Sequence, residues 1–144
     1  VQDAVDRINA RYGTADWRPV QLFYENDYAQ ALAGLSIADV VLVNPLVDGM
    51  NLVAKEAVVV SERDAVLVLS ETAGAFDQMA DGALAVAPAD VAGTADAVML
   101  TRRAMDLGLD GAGYGAGAAL GDRLPAFSRP ALFGVYRVSR LPRQ

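Results

Sequence analysis

The chain has 144 residues, 53% of them hydrophobic, and a formal net charge of −6. This length suits one domain, with ample apolar material for a core. The acidic balance argues against a surface for nucleic acid or another polyanion. Because the chain contains neither Cys nor His, thiol nucleophiles, disulfides, histidine triads and ordinary zinc sites are excluded. No apolar run approaches the roughly 20 residues that cross a bilayer, and no signal peptide opens the chain, so we expect a soluble cytoplasmic protein.

Helices and strands are predicted to alternate along most of the chain. The first helix has apolar residues at helical spacing and ends at Gly13, and the strands are short apolar runs bounded by turn residues. The predicted helices are residues 1–12, 26–37, 52–58, a short one ending at 79, and 90–104; the predicted strands are residues 19–24, 40–43, 65–69 and 84–87. This alternation predicts an α/β fold in which helices flank a mostly parallel sheet with right-handed crossovers.

The loop after the second strand is the strongest candidate for a ligand site. Residues 40–43 form an unbroken apolar run, typical of a buried parallel strand. Pro45 ends the strand, Gly49 permits a sharp turn or a close approach to a ligand, and Asn51 is placed to cap the helix that begins at Leu52. Open α/β sheets bind ligands outside the carboxyl ends of their strands, so this edge predicts a binding site.

The start of this helix suits a phosphate flanked by sugars. The amides of Leu52 and Val53 have no acceptor within the helix, and the helix dipole stabilises an anion there by roughly 0.3–2 kcal/mol. Glu56 lies one turn later on the same face, where its carboxylate can accept hydrogen bonds from a ribose diol. Asp48 lies on the loop and can hold sugar hydroxyls. Two acids on either side of an anion site predict the binding of a nucleotide sugar.

Taken one at a time, the same residues allow a purely structural interpretation. Asn51 is then only a helix cap, and Asp48 and Glu56 are surface acids. Met50 either lines the site or packs beneath the loop. Lys55 is predicted to face solvent beside Glu56.

The loop after the third strand lies at the same edge of the predicted sheet. Ser70 and Glu71 therefore lie near the ligand, or Ser70 is a helix-side cap and Glu71 a solvated acid, which is the interpretation that we favour. After the first strand, Asn26 or Asp27 is predicted to cap a helix, and Tyr28 is predicted to pack in the fold.

Residues 48–56, Asp-Gly-Met-Asn-Leu-Val-Ala-Lys-Glu, resemble the signature of the trehalose-6-phosphate synthase family of retaining glycosyltransferases. The resemblance covers about residues 1–105. It includes Ile8-Asn9, Trp17-Arg-Pro-Val20, Asp39-Val40, Val66-Leu-Val-Leu-Ser70 and Ala73-Gly74-Ala75. It implies two facing Rossmann-like domains, and this chain matches only the later part of the C-terminal one. Because the chain begins at Val1 and not at Met, we expect a fragment: a partial donor-binding domain over residues 1–105, without the N-terminal acceptor domain.

The resemblance implies transfer of glucose from UDP- or GDP-glucose to glucose 6-phosphate, a sugar-phosphate acceptor, giving trehalose 6-phosphate with retained configuration. Asp48 would be the catalytic residue, because it positions hydroxyls of the donor. The implied donor-binding residues are Asp48, Gly49, Met50, Asn51, Leu52, Val53 and Glu56. No metal and no cofactor are implied, since positive side chains and helix amides neutralise the departing diphosphate. The family's Arg and Lys that grip the diphosphate precede this segment, so the chain alone is predicted to be inactive.

One residue departs from the family signature. Many members carry Arg immediately before the acid, where this chain has Val47. Other acceptors therefore stay open, as in glucosylglycerol-phosphate synthases and pseudo-glycosyltransferases, and so does a non-catalytic nucleotide-binding domain. A phospho-receiver domain would need an acid cluster after an early strand and a lysine after a late one, and neither is present. The sequence leaves open the donor base, the acceptor and whether the protein forms a homo-oligomer.

Residues 106–144 do not continue the family pattern. From Thr101 onward the chain carries seven Arg and three Asp, whereas the part through Leu100 carries 5 basic and 15 acidic residues. Seven of the 13 glycines also fall within these last 44 residues, and no strand precedes the glycine-rich run 111–121, which argues against a phosphate loop. We interpret the tail as a low-complexity linker or as the product of a shifted reading frame. Residues after Met105 are expected to lack a fixed fold.

Overall fold

The structure, a computed structural model, describes residues 1–63, 65–106 and 135–138. The helices in these ranges are α1 Gln2–Tyr12, α2 Tyr28–Ser36, α3 Leu52–Val60, α4 Phe76–Met79 and α5 Val91–Asp106, and the strands are β1 Val20–Phe23, β2 Val40–Val43, β3 Val66–Ser70, β4 Ala83–Val86 and β5 Val135–Val138. A 3₁₀ turn, Ala80–Gly82, joins α4 to β4. The predicted alternation of helices and strands is confirmed. None of the helices in the described ranges is both long enough and apolar enough to cross a membrane.

A three-stranded parallel sheet organises residues 35–106, one of two compact units in the chain. Its strand order is β2-β3-β4, with Val40 opposite Val66 and Leu67 opposite Ala83. Every residue of the central strand β3 is buried. A strand covered on both faces is expected to be a continuous apolar run, which is what the sequence Val-Leu-Val-Leu has here. The sheet is therefore of the predicted parallel kind, flanked by helices.

Helix α3 packs closely on this sheet because its inward face is made of small residues. Ala54 and Ala57, one turn apart, are both buried and belong to the same apolar cluster as Leu69 and Met79. Leu69 and Met79 are among the largest fully buried side chains of the described ranges. Large-to-small changes at such positions typically cost 2–5 kcal/mol. The packing fixes the first turn of α3 relative to the carboxyl ends of β2 and β3.

The second compact unit contains residues 1–34 together with β5. Within it, the side chain of Asn9 ties α1 to β1: its amide donates to the carbonyl of Val20 at 2.8 Å and its oxygen accepts from the Val20 amide at 3.0 Å. Strand β5 pairs with β1 in antiparallel register, from Val20 opposite Val138 to Phe23 opposite Val135.

The strand β5 differs from the expectation for the tail. We expected no fixed fold after Met105, but residues 135–138 pair along the whole of β1, because an exposed strand edge offers unpaired amides and carbonyls to any strand of matching length. The rest of the tail prediction concerns residues 107–134 and 139–144, which lie outside the described residues. The division into domains at residues 105 and 106 stays a prediction.

Candidate functional site

The candidate site lies where β2 and β3 end. The two strands are parallel neighbours, so the loop after β2, residues 44–51, and the loop after β3, residues 71–75, leave the sheet at the same edge. Backbone contacts join the two loops: Asp48 and Ala73 form a parallel bridge, and the Gly74 amide donates to the Asp48 carbonyl at 3.0 Å. The predicted position of the site, outside the carboxyl ends of parallel strands, is therefore the position of this loop pair.

Asn51 organises the entry into α3. Its side-chain oxygen accepts a hydrogen bond from the Ala54 amide at 3.0 Å, which confirms the predicted cap. Its side-chain amide donates to Oδ2 of Asp48. The backbone of Asn51 is left-handed, with φ 55° and ψ 85°, and it is the one non-glycine residue with positive φ among those described. Asn tolerates this conformation better than most residues, because its short polar side chain can hydrogen-bond locally.

The cap leaves two amides at the helix start. Since Ala54 donates to Asn51, the amides without an acceptor inside the helix are those of the first two residues, Leu52 and Val53. Both residues are half-buried. Because α3 is nine residues long, the positive end of its dipole adds to the attraction of these amides for an anion. The geometry can therefore bind an anion at the predicted place.

The two predicted acids differ in how the structure holds them. Asp48 is half-buried on the loop, and Oδ2 accepts the hydrogen bond from Asn51 while Oδ1 is left for a further donor. Glu56 is half-buried one turn into α3, and its Oε2 is shielded from solvent. Neither acid is the fully solvated surface group of the structural interpretation.

Gly49 and Met50 differ in part from expectation. Gly49 does not supply the left-handed turn, which is made by Asn51 instead. A Cβ placed on Gly49 would meet nothing within 4 Å, so the space beside it is open. Met50 is 51% exposed and does not pack beneath the loop, and Val47, where many family members have Arg, is 86% exposed.

The loop after β3 is tied internally and to the loop after β2. The Thr72 hydroxyl donates to the Pro45 carbonyl at 3.0 Å. Because its one hydrogen is used there, the hydroxyl of Ser70 must be the donor in the 2.7 Å contact between the two hydroxyls. Ser70 is fully buried and also accepts from the Thr72 amide at 3.2 Å. Ser70 therefore holds this loop and is not the predicted helix cap, because α4 begins after Ala75 and has no side-chain cap bond. Glu71 is exposed, as predicted.

Lys55 has a partner that the sequence did not predict. Its ammonium donates to Oε1 of Gln78 at 2.7 Å, which links α3 to α4. The contact is exposed, so Lys55 lies at the surface as predicted, but it also bonds a side chain of the neighbouring helix. Within the described ranges, no three acidic side chains converge in a way that would hold a metal ion.

Gly74 was also missed as a member of the site. It accounts for the close contact of the two loops, because a Cβ placed on it would overlap the carbonyl oxygen of Gly49 and lie 2.6 Å from its carbon. The only signal in the sequence was the small triplet Ala73-Gly74-Ala75 directly after a strand, which marks a close backbone approach without naming the partner.

The family model of glycosyltransferase family 20 matches residues 1–107. The chain belongs to this family. The match contains the whole parallel sheet and the loop pair, and it confirms the resemblance to trehalose-6-phosphate synthases that residues 48–56 carry.

Individual members of the family are similar over the same part. A bifunctional trehalose-6-phosphate synthase/phosphatase of Thermoproteus tenax is 50% identical over 97 residues, which is 65% of this chain and 13% of that protein. A Burkholderia xenovorans alpha,alpha-trehalose-phosphate synthase, solved in complex with glucose-6-phosphate, has a TM-score of 0.59 at 42% identity and covers 69% of this chain. An E. coli trehalose-6-phosphate structure, bound with UDP-2-fluoro glucose, has a TM-score of 0.68 at 35% identity and covers 85%.

The chain spans only a minor part of these proteins. It covers 22% of the Burkholderia chain and 27% of the E. coli chain. The fold and the family are therefore established for the described unit that contains the loop pair. The reaction of a whole enzyme is a proposal.

Proposed function

We propose that this chain is the donor-binding part of a retaining glycosyltransferase that moves glucose from a nucleotide-glucose to glucose 6-phosphate and makes trehalose 6-phosphate. The observation that supports this best is the start of α3, where Asn51 caps the helix and hydrogen-bonds Asp48, and the amides of Leu52 and Val53 have no acceptor within the helix. Related proteins solved with glucose-6-phosphate and with UDP-2-fluoro glucose support the substrate classes. The part of the enzyme present here is the part that meets the nucleotide.

The diphosphate of the donor would bind at the amides of Leu52 and Val53. Both the unpaired N–H groups and the positive end of the helix dipole favour negative charge there. The charge on the diphosphate increases as the bond to glucose breaks, so fixed amides at this point stabilise the departing group more than the intact donor. This is how a helix start can accelerate the transfer as well as bind the substrate.

The two acids would select the sugars on either side of the diphosphate. Asp48 has Oδ1 available for a hydroxyl of the glucose, with its orientation set by the bond from Asn51 to Oδ2. Glu56, one turn along α3, would accept hydrogen bonds from the ribose. Gly49 and Met50 would complete the wall of the site, since the space beside Gly49 is open and Met50 is exposed.

Transfer with retention would need a second half of the enzyme. The acceptor would be held by an N-terminal domain and would attack from the face that the diphosphate leaves, with that diphosphate assisting. The positive side chains that grip the diphosphate would come from upstream of this segment. We propose a cytoplasmic enzyme, in keeping with its nucleotide-sugar donor, and leave its self-association open.

The test is an assay of the complete gene product with each combination of donor and acceptor. UDP-glucose and GDP-glucose are supplied with glucose 6-phosphate or with glycerol 3-phosphate, and products are identified by NMR. The proposal expects trehalose 6-phosphate with an α,α linkage from one of the two donors. A product formed only from glycerol 3-phosphate would move the protein to the glucosylglycerol-phosphate branch. Nucleotide binding without any product would favour the non-catalytic alternative.

A further inference from the structure

No residue of the loop after β3 is assigned a contact with the donor in the proposed function, yet this loop supports the loop after β2, which is. Two contacts join them. Near the exit of β2, the Thr72 hydroxyl donates to the Pro45 carbonyl at 3.0 Å. Four residues before α3, the Asp48 carbonyl accepts from the Gly74 amide at 3.0 Å. Residues 44–51, the donor loop, are thus held near their beginning and near their middle by one short segment.

The second contact requires glycine. A Cβ on Gly74 would overlap the Gly49 carbonyl oxygen and would also lie 3.4 Å from the carbonyl oxygen of Asp48. These are backbone atoms, which cannot rotate away as a flexible side chain does. Any larger residue would therefore push residues 48 and 49 outward by about an ångström or more before normal contact distances return.

The segment beneath this contact, residues 70–75, is anchored by buried residues. Ala73 and Ala75, on either side of Gly74, are buried, and Ser70 at the end of β3 is fully buried and hydrogen-bonded to Thr72. Because protein interiors are close-packed, these buried residues are displaced less readily than an exposed loop. The strain of an added methyl group is therefore expected to move the donor loop and not the segment below it.

We propose that Gly74 is a positioning residue of the donor site: it sets the height of the Asp48-Gly49 backbone above the sheet, and through it the place of the Asp48 carboxylate beside the start of α3. Thr72 does the same near the beginning of the loop. This inference rests on the proposed function, because the loop that Gly74 positions is assigned to the donor only there.

The experiment compares the wild-type chain with three variants. Gly74→Ala introduces the overlap and Thr72→Val removes the hydroxyl contact to Pro45. Val68→Ala is the control, since Val68 is fully buried in the middle of β3 and lies outside the apolar cluster that contains Ala54 and Leu69. Each variant is examined in two ways: by its backbone amide NMR spectrum without ligand, and by calorimetric titration with UDP.

The expected result is a specific pattern. Gly74→Ala shifts the amides of residues 48–53 and raises the Kd for UDP about tenfold or more, since displacements near an ångström in a site have effects of this order. Thr72→Val produces a smaller effect of the same kind. Val68→Ala lowers the thermal midpoint but keeps the Kd of the wild type, so a loss of binding cannot be ascribed to stability alone.

The outcomes separate the inference from the function on which it rests. Absence of UDP binding by the folded wild-type chain would contradict the proposed donor site, and the role of Gly74 in it. Wild-type binding with an unchanged Kd in Gly74→Ala, or a loss of the same size in Val68→Ala, would overturn the role of Gly74 alone. If Gly74→Ala does not fold, the test rests on Thr72→Val. Shifted amides in residues 48–53 with a wild-type Kd for UDP would contradict the proposal that the loop after β3 positions the donor site.

Discussion

Asn51 is where helix capping, backbone strain and the candidate site meet. Its side chain accepts from the Ala54 amide and donates to Asp48, and its backbone is held at a φ of 55°. Two substitutions separate these contributions. Asn51→Ala and Asn51→Gly both remove the cap and the bond to Asp48, but only alanine is strained at positive φ.

The magnitude follows from the local geometry. Loss of an N-cap to alanine costs about 0.5–2 kcal/mol, and loss to glycine only a few tenths. Alanine in the left-handed region adds about 1–2 kcal/mol that glycine does not incur. The bond to Asp48 disappears in both variants, so it cancels in their difference. Asn51→Ala is therefore expected to be less stable than Asn51→Gly by about 2 kcal/mol.

Urea unfolding followed by circular dichroism measures this difference. The slope of the unfolding free energy against urea should be the same in both variants, so that their midpoints report stability directly. A stability of about 5–15 kcal/mol is usual for a domain of this kind, which leaves both variants folded in water. Equal midpoints, or a less stable glycine variant, would refute the account of Asn51 as a strained cap.

Further predictions concern the ligand, the reaction and the tail. Glu56→Gln should weaken UDP binding to the folded chain by about 1–3 kcal/mol, the scale for a hydrogen bond to a charged group; equal affinity by calorimetry would remove Glu56 from the site. The purified chain should form no disaccharide phosphate from UDP-glucose and glucose 6-phosphate, because transfer needs both substrates held in line, and measurable product would contradict that view of the acceptor. The neighbouring reading frames beyond codon 105 should encode an acidic amphipathic helix, and translation of the DNA that finds none would refute the frameshift hypothesis.

Local patterns in the sequence were enough for most of the elements and for the loop that carries the candidate site. Asn51 before Leu52 predicted a capped helix, which is confirmed. The apolar run of residues 40–43 predicted a buried parallel strand; the strand is parallel, but only Val41 and Val43 are buried and Leu42 is 47% exposed, because β2 has a neighbouring strand on one side only in the described sheet. Each of these features depends on residues within a few positions of one another. The family signature in residues 48–56 then supplied the chemistry that position alone leaves open.

Contacts between distant segments were not predictable in the same way. Lys55 and Gln78 are 23 residues apart, and Thr72 and Pro45 are 27 apart. Gly74 meets the backbone of Gly49 only because β2 and β3 are neighbours in register. The pairing of β5 with β1 likewise joins the two ends of the chain. Periodicity and propensity describe one element at a time, so they identify Gly74 as a small residue but not as the support of another loop.

The left-handed conformation at Asn51 is an intermediate case. The sequence offered Gly49 as the residue for a sharp turn, since glycine is the usual choice at positive φ. The chain does bend at Gly49, but the positive φ lies two residues later, where the Asn side chain offsets the backbone strain by bonding to both Asp48 and Ala54. The physical reason is visible only when the positions of both partners are known.

The start of α3 is proposed to bind the diphosphate of the donor. Titration of the isotope-labelled chain with UDP, followed through backbone amide NMR signals, tests it most directly. We predict that the amides of Leu52 and Val53 shift most, while the Ala54 amide, already bonded to Asn51, shifts less. Uridine without phosphates should leave all three nearly unchanged. Saturable UDP binding that moves amides elsewhere and leaves Leu52 and Val53 in place would contradict it.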